Sequence, residues 1–523
     1  MKFSRRIITG LLAFSIVGSL CFSPVTADAA RKMTAAEKAA AEKLEQERQA
    51  AYAKTIDSNQ IEGWPQGPQI YAESAVVMEA STGTILYNKD MDMVNYPASI
   101  TKIMTALVVL ENCSLDEIVT YSYYATHSIE AGSSTIGTTE GEELTVEESL
   151  YALLLESANE CGNGLAEHVA GSIDAFVELM NAKAAELGCA NTHFVNPHGL
   201  HNPEHYTTAH DMALIMQAAL QNEDFVRISG TAKYQMRATN KDDEITYMTN
   251  HHCMIAPYRG SSAYLDDTVI AGKTGGTTEA KNTLVTAAER SGMTLIVVTM
   301  RTAGTAERGV PLFPDTALLL DYASENFNMI NVSENEVNFS IKNPNSFFIG
   351  SAVFGQSAPL ISINENDGIV LPSGVDFSEA SPVLTFQEGS ADSDVIATLS
   401  YTYQGQPVGT ASIQLEKEGL QEFTFDKETG SEEEQVTPKR FIKINVRLIL
   451  IFAGAAVLLF LLYRLIRHLM KSFQFSFGIS SASAVHRKAR RRRKLLARRR
   501  RRANGRYRRT PKKRNSSLDD LDL

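Results

Sequence analysis

Two apolar runs bracket this chain, and they limit where everything between them can fold. Ile7–Phe22 follows Lys2, Arg5 and Arg6 and precedes the small residues Ala27-Asp28-Ala29. That basic, apolar and small-residue series is a secretory signal, so residues 1–29 are expected to be cleaved and Ala30 to begin the mature chain. The second run, Leu448–Tyr463, lies between Arg447 and Arg464 and holds 16 uncharged residues. It is shorter than the roughly 20 residues a bilayer core requires, but flanking arginines can snorkel and lend their stems to the span. A transmembrane helix over 444–466 is therefore expected. The arginines that follow orient it with the basic tail, 467–523, in the cytoplasm and the body outside.

Charge divides the same way. The formal net charge is −11, yet from Arg464 onward there are 21 Lys and Arg against 3 Asp, which leaves 29 basic and 58 acidic residues in the rest. A polybasic segment beside a span suits anionic lipid headgroups. Nucleic acid is not expected as a partner, because the arginine tail carries only Tyr507 as an interleaved aromatic and no recognisable binding fold. Once the signal is removed, Cys113, Cys161, Cys189 and Cys253 remain. Their spacing is neither that of a C-x-x-C pair nor that of a disulfide scaffold, so neither zinc nor essential bridges are inferred.

At 523 residues the chain has room for two or three domains. Residues 30–66 are rich in Ala, Glu and Lys with no sustained apolar face, and read as a solvated helical spacer. From 67 to 330, S-A-V-V-M-E-A and G-T-I-L-Y flank the turn Ser81-Thr82-Gly83 as two short strands. A mainly helical stretch from Leu144 to Leu187 follows. T-V-I-A-G-K-T-G, N-T-L-V-T-A-A and M-T-L-I-V-V-T-M then give three more strands, the last two joined tightly through Glu289–Gly292. Strands at both ends with helices between predict an α+β domain, an antiparallel sheet flanked by helices. Residues 331–425 alternate in short runs separated by Gly, Asn, Pro and Ser, which predicts a small β-sandwich. An acidic linker, 426–443, leads to the span.

The chemistry lies in the first of these domains. Asn95–Leu107 reads N-Y-P-A-S-I-T-K-I-M-T-A-L, which puts Ser99 and Lys102 one helical turn apart behind Pro97. Alone, the pair means little, because a Ser-x-x-Lys arises by chance about once or twice in a chain of this length. Two further motifs change its meaning. Ser157-Ala158-Asn159 follows the helical run L-L-L-E, and Lys273-Thr274-Gly275 lies on a later strand. A serine hydroxyl is a weak nucleophile near neutral pH and needs a base in reach. Lys102 can be that base only if neutral, which burial or a second cation such as Lys273 would favour. A helix N-terminus at Ser99 would also favour a developing oxyanion.

Together these motifs resemble the set shared by penicillin-binding proteins and class A β-lactamases. The segment from about Tyr71 to Phe327 is similar in particular to the serine D-Ala-D-Ala carboxypeptidases, the low-molecular-mass penicillin-binding proteins of peptidase family S11. F-V-E-L-M-N-A-K-A-A-E-L-G, T-H-F-V-N-P-H-G-L, H-Y-T-T-A-H-D-M-A and K-T-G-G-T-T-E-A carry that resemblance. It implies the penicillin-binding-protein/β-lactamase-like fold and a place on a bacterial cell membrane. The implied substrate is a peptidoglycan stem peptide ending in D-Ala-D-Ala, and the implied inhibitors are β-lactam antibiotics. No cofactor or metal is implied. Ser99 would form the acyl-enzyme, Lys102 would take its proton and Ser157 would relay a proton to the leaving amine. Asn159 would bind a substrate amide, Lys273 would set the field and Thr274 would hold the terminal carboxylate. The N–H groups of Ser99 and Gly276 would form the oxyanion hole. Arg308 would pair with the carboxylate, with Arg301 as its fallback.

Other readings stay open on the residues alone. A catalytically idle penicillin-binding sensor could signal through the span, and a β-lactamase would share the motifs but lacks a convincing glutamate loop for fast deacylation. His193, His198, His201, His205 and His210 crowd one stretch without forming H-E-x-x-H, so no metal site is expected there.

Overall fold

The computed structural model describes residues 34–257, 262–304, 311–337, 360–386 and 395–416. The expected signal, linker, transmembrane helix and basic tail lie outside the described residues, and so does Arg308. Among the described residues no helix is long and apolar enough to cross a membrane.

Five strands form the central antiparallel sheet: β1 (Ser74–Glu79), β2 (Ile85–Lys89), β3 (Val269–Thr277), β4 (Lys281–Arg290) and β5 (Met293–Thr302), in the order β2-β1-β5-β4-β3. Every residue of β1 is buried, so both its faces meet other layers, which is why its centre, Ala75–Met78, is a continuous apolar run rather than an alternating one. The period of two sorts the strand between two cores. Val76 and Met78 join Ile296 and Val298 in one, whereas Ala75 and Val77 join Leu295 and Val297 in the other. Each Val or Leu buried this way contributes about 2 kcal/mol.

The first core is completed by a helical layer: α2 (Lys102–Asn112), α3 (Val146–Leu155), α4 (Asn159–Ala170), α5 (Ile173–Glu186) and α6 (Ala209–Ala219). Thr145 starts α3 with a capping box to Glu148, and Thr208 starts α6 by accepting from the Asp211 nitrogen. Across the sheet, α7 (Leu312–Asn326) covers the other face with Leu319, Leu320 and Ala323.

The same second core takes in residues of a smaller antiparallel sheet, built from β6 (Phe327–Asn331), β7 (Leu360–Ile363), β8 (Gly368–Pro372), β9 (Ser381–Phe386), β10 (Val395–Tyr403) and β11 (Gln406–Glu416). Its order is β6-β8-β11-β10-β9, with β7 on β11. The described strands of the region expected to be a sandwich thus form one hydrogen-bonded sheet. The lone tryptophan, Trp64, ties the two parts together: its ring lies 5.2 Å from Phe327 and 6.4 Å from Tyr403, and its N–H donates to the Leu86 carbonyl at 3.0 Å.

Ahead of the sheet runs α1 (Ala35–Tyr52), opened by a capping box between Thr34 and Glu37. Its first half is solvated, as a spacer should be. Its second half docks on the body: Ala51 is buried, Arg48 Nε donates to the Ala303 carbonyl at 3.2 Å, and Glu47 pairs with Lys281 at 3.4 Å. Buried Lys89 holds the end of the helix by donating to the Ala51 carbonyl at 2.8 Å.

Candidate active site

Ser99 lies in a single 3-10 turn, Ala98–Thr101, and Lys102 begins the α-helix proper. Expected as one continuous helix, this segment tightens at its start instead. Ala98 adopts φ 52°, a left-handed conformation that costs a non-glycine residue about 1 kcal/mol or more. Gly199, at φ +85°, sits directly against it, and a Cβ there would overlap the Ala98 carbonyl.

Lys102 is fully buried. Its Nζ reaches Ser99 Oγ at 3.0 Å, Asn159 Oδ1 at 2.7 Å and the His198 carbonyl at 2.7 Å. Burial pushes its pKa well below the ordinary lysine value, and the Lys273 ammonium pushes it further. A neutral amine has two N–H donors and one lone pair. The Asn159 and His198 oxygens can take the donors, which turns the lone pair toward the only partner with a proton to give, the Ser99 hydroxyl. Sequence motifs supplied Ser99, Lys102 and Asn159. The His198 carbonyl, a backbone group in the N-P-H-G-L segment, has no side-chain signature that a sequence could display.

Ser157 stands two residues ahead of α4 with φ 61°, another left-handed non-glycine residue. It is 4 % exposed, and among the described residues its Oγ has no hydrogen-bond partner. An orphaned buried hydroxyl costs about 1–3 kcal/mol, a cost that a substrate or a proton in transit can relieve. Asn159 follows, its backbone N–H donating to the Ser134 carbonyl at 2.9 Å. Next to it the buried Glu160 fixes the facing loop by accepting from Thr135 Oγ1 at 2.7 Å and the Ile136 nitrogen at 2.8 Å.

The Lys273-Thr274-Gly275 strand is β3, an edge strand, so alternate backbone groups point away from the sheet. Lys273 is 1 % exposed, and burial lowers its pKa to about 7 against a smaller opposing pull from Glu156. Its Nζ donates to the Thr274 carbonyl at 2.9 Å. Gly275 is glycine for a steric reason: a Cβ would overlap Thr283 Oγ1 and lie 3.0 Å from the Ser99 nitrogen. That close approach brings β3 alongside the Ser99 backbone, with the exposed Gly276 one residue further on.

Arg301, at φ 56°, donates from Nε to Glu73 at 3.2 Å. The crowded histidines have separate local partners. His205 Nδ1 accepts from the Val195 nitrogen, so its Nε2–H faces Thr101 Oγ1 at 2.8 Å; burial holds its pKa near 3 and keeps it neutral. His210 pairs with Asp92 and His193 with the Glu204 carbonyl. Among the described residues Cys113, Cys161, Cys189 and Cys253 are free thiols.

Residues 61–304 match the family model of D-alanyl-D-alanine carboxypeptidases, peptidase S11. D-alanyl-D-alanine carboxypeptidase DacB2 of Mycobacterium tuberculosis is 33% identical over 258 residues, 49% of this chain and 82% of that one. The chain belongs to the peptidase S11 family. The D-alanyl-D-alanine carboxypeptidase DacF of Bacillus subtilis is 35% identical over 254 residues, 48% of this chain and 62% of that protein's length. Among solved structures, penicillin binding protein 5 of Haemophilus influenzae superposes with a TM-score of 0.53 at 25% identity, covering 67% of this chain and 98% of that one. That overlap extends past the S11 match and is consistent with the smaller sheet being part of the shared architecture.

Proposed function

We propose that the chain is a serine D-Ala-D-Ala carboxypeptidase that removes the terminal D-alanine from peptidoglycan stem peptides and is acylated by penicillins at the same serine. The observation that carries this reading is the three-way hold on Lys102 Nζ by Ser99, Asn159 and the His198 carbonyl, in a setting that favours the neutral amine. In the proposed cycle Lys102 takes the Ser99 proton as Oγ attacks the penultimate D-Ala carbonyl. The N–H groups of Ser99 and Gly276 stabilise the oxyanion. The proton passes through Ser157 to the departing amine, D-alanine leaves, and water then hydrolyses the ester. Asn159 orients the donor amide, and Lys273, Thr274 and Arg308 attract the terminal carboxylate. The body works outside the cytoplasm, held by the C-terminal span and by contact of the basic tail with anionic lipid.

Incubating the protein with a diacyl D-Ala-D-Ala peptide and with a fluorescent penicillin tests the reading. D-alanine release with a long-lived adduct is expected. Rapid turnover of penicillin would indicate a β-lactamase, and an adduct without release an idle sensor; the carboxypeptidase names of the relatives weigh against both.

A further inference from the structure

Away from Ser99, one side-chain cluster has the chemistry of a metal site. The Cys113 Sγ, a Glu117 carboxylate oxygen and a His168 ring nitrogen all lie within 4.8 Å of one another. Among the described residues no other group of three His, Cys, Asp or Glu converges in this way. We propose that Cys113, Glu117 and His168 form a zinc-binding site that staples together the C-terminal ends of α2 and α4.

Backbone brings the three together. Cys113 caps α2 in an extended conformation, its N–H donating to the Val109 carbonyl at 3.0 Å. Glu117 follows after a turn closed by its own N–H on the Ser114 carbonyl at 3.2 Å. One Glu117 oxygen is spent on that turn, accepting from the Ser114 nitrogen at 2.7 Å, and the other meets His168 Nε2 at 3.0 Å. His168 stands in the last turn of α4, 51 residues from Glu117. Helix α3 fixes the loop from a third side: the Val146 and Glu147 nitrogens donate to the Glu117 and Leu115 carbonyls at 2.9 and 3.0 Å. The donor atoms are therefore gathered before any metal arrives.

The donor set names the metal. A thiolate, an imidazole and a carboxylate suit zinc, whereas the hard cations calcium and magnesium take oxygen ligands. With zinc–ligand bonds of about 2.0–2.3 Å, tetrahedral donors lie about 3.5 Å apart, within reach of small side-chain rotations here. Binding sends the Cys113 thiol proton to solvent, and the neutral His168 ring carries its one proton on Nδ1 so that Nε2 coordinates. Water completes the tetrahedron, because the His168 and Glu117 side chains are 22% and 44% exposed. Behind them, Cys113 and Leu115 pack on the first core. The opposite ends of the two stapled helices carry Lys102 and Asn159, so the metal steadies the layer that positions both.

Cobalt(II) is the probe, because a tetrahedral thiolate site gives it visible absorption and a sulfur-to-metal band in the near ultraviolet. The full chain, kept reduced in detergent, is expected to take up one equivalent with both features and to release it to Zn²⁺. Cys113→Ser and His168→Gln should each weaken binding by about 100-fold, the upper end of what even a lost supporting group around a metal costs. Cys189→Ser should leave it unchanged. Zinc should also raise the melting temperature of the unaltered protein by a few degrees and leave that of Cys113→Ser where it is. Zinc K-edge absorption needs no variant and should show one sulfur at about 2.3 Å among nitrogen and oxygen ligands. A cobalt spectrum without the sulfur band, a zinc shell without sulfur, or binding that survives Cys113→Ser overturns the proposal. So does binding lost in Cys113→Ser but kept in His168→Gln, the mark of an adventitious thiol adduct only. Zinc that binds without raising the melting temperature overturns the staple.

Discussion

Two regions of the catalytic domain each bury a lysine completely. Lys89 ends β2 beneath α1, and Lys102 opens α2 beneath Ser99. Both donate to backbone carbonyls: Lys89 to Ala51 and Ile70 at 2.8 and 2.7 Å, Lys102 to His198 at 2.7 Å. Burial lowers both pKa values, but the neighbours differ in sign. Asp315 pulls Lys89 back up, leaving it at about 8, so it is mainly charged at neutral pH. Lys102 faces another cation, Lys273, and is driven well below its ordinary value. Lys89 also lacks a hydroxyl among the partners its Nζ touches, whereas Lys102 touches Ser99 Oγ. Burial alone makes a lysine expensive. A like charge and a nucleophile beside it make it a base.

The contrast breaks most directly at the nucleophile. Ser99→Ala is expected to abolish penicillin labelling with the fold intact, as read by peptide mass mapping and circular dichroism; a labelled serine elsewhere would remove Lys102 from the chemistry. Next in size is Lys102→Arg, which keeps a charge that cannot be shed near neutral pH. Its acylation rate should fall by orders of magnitude throughout pH 6 to 9 in stopped-flow measurements, and a near-normal rate anywhere in that window would mean another group is the base. Ser157→Ala should slow turnover of a D-Ala-D-Ala peptide by about 100-fold, the usual scale for a lost proton-transfer group, with little change in melting temperature. The opposite pattern is expected of Lys89→Met. Acylation should stay within a few-fold of normal while stability falls by about 3 kcal/mol, because the Ala51 and Ile70 carbonyls lose their buried donor, and α1 should become more open to proteolysis. Should acylation collapse with Lys89→Met instead, the two lysines are not separable as described.

The sequence exposed one of these regions and hid the other. Ser99, Lys102, Ser157, Asn159 and Lys273 sit in compact motifs on regular elements, so their types and order carried their meaning before any coordinates. The strands were legible because β1, β4 and β5 are buried apolar runs bounded by turns such as Ser81–Gly83. The docking of α1 was not legible. Its inward positions recur at helical spacing, but they are Ala41, Leu44, Arg48 and Ala51, too mixed in polarity to form an apolar stripe. The contacts that fix it are an ion pair and carbonyl bonds to residues far along the chain. The left-handed turns at Ala98 and Ser157 escaped notice for a related reason: neither residue favours that conformation, and only packing imposes it.

The central claim is that Lys102 is a neutral amine at working pH, and nitrogen NMR of lysine side chains in the protein labelled with ¹⁵N-lysine reads this directly. The account predicts a neutral-amine Nζ signal at pH 7 that disappears in Lys102→Arg and titrates with a midpoint well below the ordinary lysine value. An Nζ assigned to Lys102 by that substitution that remains an ammonium up to pH 9 would contradict it.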